Sequence, residues 1–335
     1  MITIWTQENG RLVKQENSGE TGLRNIWVDA RDVTREDIRV LEEDYGIRQE
    51  HILDILDQDE LSRIEKEDDY ILIIARLPVY MPSDAVSYLT VPVGIVLYPE
   101  IIITICWTDC EVLKDIALNR VRGLSLQDFP AFITRLLSRA DTIFLRYLKE
   151  INRRSTVIQN ELQLSIKNKE LIQLLNLEKS LVFFTTSLKS NQLLLEKLTK
   201  TRLLLLDEED RDWLEDVEID NRQAIEMADT YSNIMSGMMD AFASVISNNL
   251  NIVMKRLTVI SLILMIPTCI TSFFGMNIPL PFSGSGWLGV GILTSACVCG
   301  SFIAGILLRE KHQKDDRKKA VRRRSSRKSI AGKIR

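Results

Sequence analysis

Histidine is almost missing from this sequence: His51 and His312 are the only two among 335 residues. Borderline metals favour His and Cys ligands, and many general bases are histidines. With no metal cluster and no nucleophile–base pair in view, the sequence carries no sign of an enzyme. Five cysteines do not make a disulfide framework in a chain this long. Cys106 and Cys110 have a C-x3-C spacing with no second pair behind it. Cys269, Cys297 and Cys299 lie in apolar stretches, where a thiol acts as a small hydrophobe. All five read as reduced, structural cysteines of a cytosol-facing protein. No glycine-rich loop follows any strand-like run, which leaves nucleotide binding without support. The opening Met-Ile-Thr-Ile-Trp lacks a basic region followed by an apolar run, so no signal peptide is expected.

Two stretches lack charge altogether. Leu257–Phe274 is uncharged over 18 residues and Trp287–Leu308 over 22. At about 1.5 Å of rise per residue, each is long enough for a hydrocarbon core of about 30 Å, with a few residues before Leu257 completing the first. Lys255 and Arg256 precede the first run, Arg309 and Lys311 follow the second, and the loop between them has no charge. Positive residues stay on the cytoplasmic side, so both long ends are expected in the cytoplasm and the loop outside. Glycines and alanines in the second run allow close helix–helix approach in lipid.

Charge is segregated along the chain. Up to Leu308 there are 30 basic and 43 acidic residues; from Arg309 onward there are 13 and 3. An acidic body attracts divalent cations, and a basic tail attracts anionic lipid headgroups. No nucleic-acid partner is expected.

The body begins with mixed signals. Tyr70–Val79, Leu89–Leu97 and Glu100–Trp107 are short β-rich runs, punctuated by Pro and Gly. Between Thr34 and Glu67 the pattern reads as helical, with Thr34 and Asp37 as a cap. An α/β domain is expected over residues 1–125. Residues 126–206 read as an antiparallel pair of long helices, about 131–168 and 170–206, with a solvated charged face. Asp207–Asp220 packs nine acids into fourteen residues, either as a favourable helix start or as a cation-sensing surface. From about Asp210 to Phe274, Gly237 and Pro267 are the sole Gly and Pro, which predicts one long helix. Its apolar positions 228, 231, 235, 238, 242 and 245 recur like the seam of a bundle. The expected layout continues with a cytoplasmic stalk at 207–256, transmembrane helices at 257–274 and 287–308 around an external loop at 275–286, and a basic cytoplasmic tail at 309–335.

A second stripe runs down the same helix in alternating steps of four and three. It holds Asn233, Gly237, Asp240, Ser244, Ser247, Asn251, Met254, Thr258, Ser261, Met265, Thr268 and Ser272. Isolated Ser and Thr in a span mean little, because they bond back to their own helix. A continuous line of small and polar side chains fits a water-filled axis, and a pore needs several copies around that axis. Gly275, Met276 and Asn277 follow. A ring of Asn amide oxygens suits hydrated magnesium, which gives up its water shell reluctantly.

Ser247–Asn277, ending in Gly-Met-Asn at the close of the first of two C-terminal spans, resembles the CorA family of magnesium channels. The similarity in layout covers about residues 30–309. It implies a funnel-shaped homopentamer in the bacterial inner (cell) membrane: an α/β N-terminal cytoplasmic domain, a long helical stalk and a two-helix transmembrane hairpin. The implied cargo is Mg2+, often with Co2+ or Ni2+. By the resemblance, Asn277 forms the mouth; Thr268, Met265, Leu257, Met254 and Asn251 line the pore, with Asp240 deeper in the lumen. Leu257, beside Thr258, belongs to an apolar constriction that gates by dewetting. Regulatory Mg2+ between subunits is implied at Asp216 on the stalk and at Asp54 or Asp57, its loss opening the pore. Two departures stand out. Phe274 replaces the usual Tyr, and the loop IPLPFSGSG lacks the usual acid, so the mouth concentrates cations less well. A zinc carrier of the same superfamily and a non-conducting membrane-anchored scaffold are the alternatives. Zinc prefers His and Cys ligands, which the stripe lacks, and a scaffold needs no aligned Asn251, Thr268 and Asn277.

Overall fold

The computed structural model describes residues 1–15, 24–83, 85–164, 168–201 and 203–275. Beyond these it describes 286, 291–292, 294–303 and 306, without the side chains of 164, 273 and 274. The chain divides into two compact units, Met1–Ala241 and Phe242–Arg335.

In the first unit, seven strands among the described residues form one sheet. They are β1 (Ile2–Glu8), β2 (Arg11–Lys14), β3 (Ile26–Arg31), β4 (Arg63–Lys66), β5 (Ile71–Tyr80), β6 (Tyr88–Tyr98) and β7 (Ile101–Cys106). Their order is β2-β1-β3-β7-β6-β5-β4. All neighbours are antiparallel except β3 and β7, which run parallel, a pairing that the long stretch of chain between them makes possible. β5 and β6 are buried along nearly their whole length. A strand covered on both faces reads as a continuous apolar run, which is why these two are visible in the sequence.

One face of the sheet carries α1 (Arg35–Glu43) and α2 (Gln49–Leu56). Leu41, Ile47, Ile52 and Ile55 meet Val28, Ala30, Leu72, Ile74, Val96, Ile103 and Ile105 there. α1 starts at the capping box expected from the sequence: Thr34 Oγ1 accepts from Asp37 N–H, and the Asp37 carboxylate accepts from Thr34 N–H. The helical reading of 34–67 is right for α1 and α2 and wrong for its end. Arg63–Lys66 is an edge strand, fixed by pairing with Ile71–Ile74. α2 lies so close to β6 that a Cβ at Gly94 would sit 2.2 Å from Ile55 Cδ1, so only glycine fits.

The other face is covered by helices after α3 (Glu111–Ala117). α4 (Phe129–Leu164) and α5 (Asn168–Lys200) end and begin only a few residues apart, which forces opposite directions. Phe132 of α4 packs on Trp27, and Phe144 meets Phe184 edge-on at 5.1 Å. β4 pairs with β5 only as far as Ile74. Past that point the amide of Asn191, from α5, takes the place of a strand: it accepts from Arg76 N–H at 2.9 Å and donates to Arg76 C=O at 2.8 Å.

α6 (Glu208–Phe274) is a single helix of 67 residues, about 100 Å long at 1.5 Å per residue. Asp207 and Asp210 cap it reciprocally, each carboxylate accepting the other's backbone N–H. The acidic run thus begins as a helix start. Leu214, Val217, Asn221, Ala224, Ala228 and Met235 are its buried side in the first unit. Of the seam expected from the sequence, Ala228, Met235 and Phe242 are buried, and Val245 is exposed.

Candidate functional site

In the second unit, α6 contains a window of mean hydropathy 1.8, none of it buried. At 3.6 residues per turn, each step rotates a side chain by about 100°. Asn251, Met254, Leu257, Thr258, Ser261, Met265, Thr268 and Ser272 therefore share one side, and all are exposed. Ile263, Ile266, Pro267 and Ile270 lie on the opposite side and are half-buried. A second apolar helical stretch, Thr294–Ile303, packs there. A Cβ on Gly300 would lie 3.1 Å from Ile266 Cγ2, so the glycine permits the close approach. The stripe is the side this contact leaves open.

Three of the stripe's hydroxyls are fixed within the helix. Thr258 donates to Met254 C=O at 2.9 Å, Ser261 to Leu257 C=O at 3.0 Å and Thr268 to Leu264 C=O at 2.8 Å. Pro267 cannot donate along the ladder, and its own C=O accepts from Thr271 Oγ1 at 2.9 Å. Gly275 closes the helix with a shared hydrogen bond to Thr271 C=O and Ser272 C=O. Met276 and Asn277 lie outside the described residues, as do much of the expected second span and the whole basic tail. Asp240 is exposed on α6 in the first unit.

The acids expected to hold regulatory ions are all in the first unit. Asp54, on α2, binds Arg63 Nη2 at 2.7 Å with its side chain 45% exposed. Asp57 sits at the C-terminal cap of α2 and accepts from Asp59 N–H at 3.1 Å. Asp216 is exposed on α6. Among the described residues no hydrogen bond or ion pair joins Asp216 to Asp54 or Asp57. The loop after Asp57 is held by a buried arginine. Arg76 Nη1 donates to Gln58 C=O and Glu60 C=O, its Nε to Ser187 Oγ, and its Nη2 to Thr90. Burial pulls the Arg76 guanidinium below its usual range, with Asp59 and Asp57 opposing. Asp210 is raised by burial; the hydrogen bond from Asp207 N–H opposes this, and the charges of Asp128 and Asp207 add to it.

The sequence showed no metal cluster, but the structure gathers one: His51, Glu65 and Glu67 bring ligand atoms within 4.8 Å of one another. Sequence spacing hid it, because α2 supplies one member and the chain in and just after β4 the other two.

A sheet domain, a long helix running into an uncovered apolar window, and a polar stripe along that window fit a membrane transport protein. The profile of the CorA-like Mg2+ transporter proteins matches residues 23–309. The chain belongs to this family of membrane ion transporters. It is 27% identical over 304 residues to a cobalt/magnesium transport protein CorA of Methanocaldococcus jannaschii, covering 88% of this chain and 95% of that one. It is 26% identical over 262 residues to a Thermotoga maritima protein of the same description, covering 75% and 72%. The complete structure of the CorA magnesium transporter from M. jannaschii superposes with a TM-score of 0.71 at 25% identity, over 90% of this chain and 96% of that one.

Proposed function

We propose that five copies of the chain assemble as a funnel-shaped pore that carries hydrated Mg2+, with Co2+ or Ni2+ as further cargo. The observation that carries this is the stripe from Asn251 to Ser272, polar or Met-bearing and set opposite the side where the second apolar stretch packs. A lipid-facing helix gains nothing from Thr258, Ser261 and Thr268 on one side. Around a common axis they line water. Leu257 and Met254 narrow that axis with apolar groups, which suits a gate that closes by dewetting. Asn277, Met276 and Gly275 form the outer mouth and Asp240 the cytoplasmic lumen. Both termini are cytoplasmic, in a bacterial inner membrane, with the basic tail against anionic headgroups. Asp216 of one copy and Asp54 or Asp57 of a neighbour share regulatory Mg2+. Like charges facing across a subunit boundary repel until a divalent ion neutralises them, so cytoplasmic Mg2+ favours the closed state.

Flux into proteoliposomes under an inside-negative potential tests the reading. Wild-type protein admits Mg2+, cobalt hexammine blocks it as a mimic of the hydrated ion, and Asn277→Ala abolishes or severely reduces uptake. Normal uptake by well-inserted Asn277→Ala protein removes Asn277 from the mouth. Uptake of Zn2+ without Mg2+ makes the chain a zinc carrier, and no flux of any divalent ion makes it a scaffold.

A further inference from the structure

We propose that His51, Glu65 and Glu67 form a separate binding site for a borderline divalent cation of the Zn2+, Co2+ or Ni2+ class, wholly within the first unit. His51 Nε2 lies 3.7 Å from Glu65 Oε2 and 3.7 Å from Glu67 Oε1. Those distances exceed hydrogen-bond range, so neither carboxylate satisfies this nitrogen directly. They come within a few tenths of an ångström of the roughly 3.3–3.5 Å between neighbouring ligands of a tetrahedral ion with bonds of about 2.0–2.2 Å. The imidazole is 8% exposed, and its Nε2 has both carboxylate oxygens in front of it.

The surrounding groups prepare all three ligands. Each carboxylate is gripped by an arginine through its other oxygen: Arg63 Nε on Glu65 Oε1 at 2.9 Å, and Arg48 Nη2 on Glu67 Oε2 at 2.6 Å. The arginines hold two like charges together and leave one free oxygen from each aimed at His51. On the far side of the ring, Nδ1 is 2.8 Å from Tyr70 Oη, which also accepts from Arg48 N–H. A phenolic oxygen has two lone pairs, so it can accept the Nδ1 proton as well; in that tautomer, the one the proposal requires, Nε2 is bare for metal. Glu65, 40% exposed, leaves one side open to water as a fourth ligand. An imidazole nitrogen suits Zn2+, Co2+ and Ni2+; Mg2+ prefers oxygen and keeps its water. The site therefore distinguishes these cations from magnesium.

The experiment is equilibrium binding of Zn2+ and Co2+ to metal-stripped full-length protein in detergent, with Mg2+ in millimolar excess. One Zn2+ per chain is expected, and Co2+ should develop the visible absorption of a nitrogen–oxygen site. Glu65→Gln, at a half-exposed position the fold does not need, and His51→Gln each remove the high-affinity ion. Tyr70→Phe weakens binding by about 10–100-fold. Asn277→Ala retains full binding, so failure of the pore reading and failure of this one are distinguishable. Unchanged stoichiometry in both His51→Gln and Glu65→Gln, or displacement of Zn2+ by Mg2+, overturns the site.

Discussion

The two units handle polar groups among apolar ones in opposite ways. In Met1–Ala241 several buried polar groups find their partners in the same chain. Thr104 Oγ1 accepts from Trp27 Nε1 and donates to Asp29. Asp115 is held by Arg120 and Arg139, and Arg76 spreads its donors over a loop, a strand and a helix. Beyond Phe242, Thr258, Ser261 and Thr268 stand exposed on one side of α6, with Leu257, Ile260, Leu264 and Met265 exposed around them. The first unit builds its core within one chain. Among its described residues the second presents a surface that is apolar nearly all round and polar along a line; on the proposed reading, lipid and further copies cover it.

The largest effect that breaks this contrast comes from the exposed line. Replacing Thr258, Ser261 and Thr268 together by Leu is expected to cut Mg2+ flux at least about tenfold, equivalent to adding about 1.4 kcal/mol to the barrier. The unfolding of the first unit should not change. Undiminished flux removes the stripe from the ion's path.

Next comes Arg76→Leu, which takes the donors from Gln58 C=O, Glu60 C=O and Thr90 C=O, leaves the buried Ser187 and Thr90 hydroxyls only each other, and lets the loop after Asp57 go. We expect a loss of about 3 kcal/mol or more in denaturant unfolding. The exposed Arg39→Leu serves as the control, and equal effects of the two would mean that Arg76 does not hold the loop.

The smallest effect sharpens the contrast. Asp141 is buried on α4, where burial raises its carboxyl well above the usual range; Asn221 Nδ2 donates to it and lowers it, and Asp220 opposes. A folded pKa above the unfolded one means that the native state holds the proton. That contribution is full below the ordinary Asp value of about 3.9 and is lost as pH rises through the folded pKa. Asp141→Asn keeps the acceptor and never ionises. The variant should melt on the order of 2–4 °C higher than wild type at neutral pH, and the gap should close as pH falls below the unfolded value. A gap that stays constant with pH contradicts the assignment.

Legibility in the sequence followed the reach of each signal. β5, β6 and β7 announced themselves because burial on both faces leaves unbroken apolar runs. α6 was visible in the near absence of Gly and Pro, and its stripe in a period that needs no partner. β4 was hidden: Arg63-Ile-Glu-Lys has no apolar alternation, and β5 alone makes it a strand. β1 and β3 were missed as well, β1 because it is only half-buried and β3 because it carries Asp29 into the core. The His51 group escaped because tertiary packing, not spacing, brings α2 to β4.

The hydroxyls of Thr258, Ser261 and Thr268 have spent their protons on their own helix. What each has left to offer is oxygen lone pairs. A cation inside its water shell turns hydrogens outward, and an anion inside its shell turns oxygens outward. Positions that can only accept suit the first kind of traveller and give the second nothing to hold. Selection by sign can thus be written into a helix that carries no charge from Leu257 to Phe274, through the direction of a few hydrogen bonds.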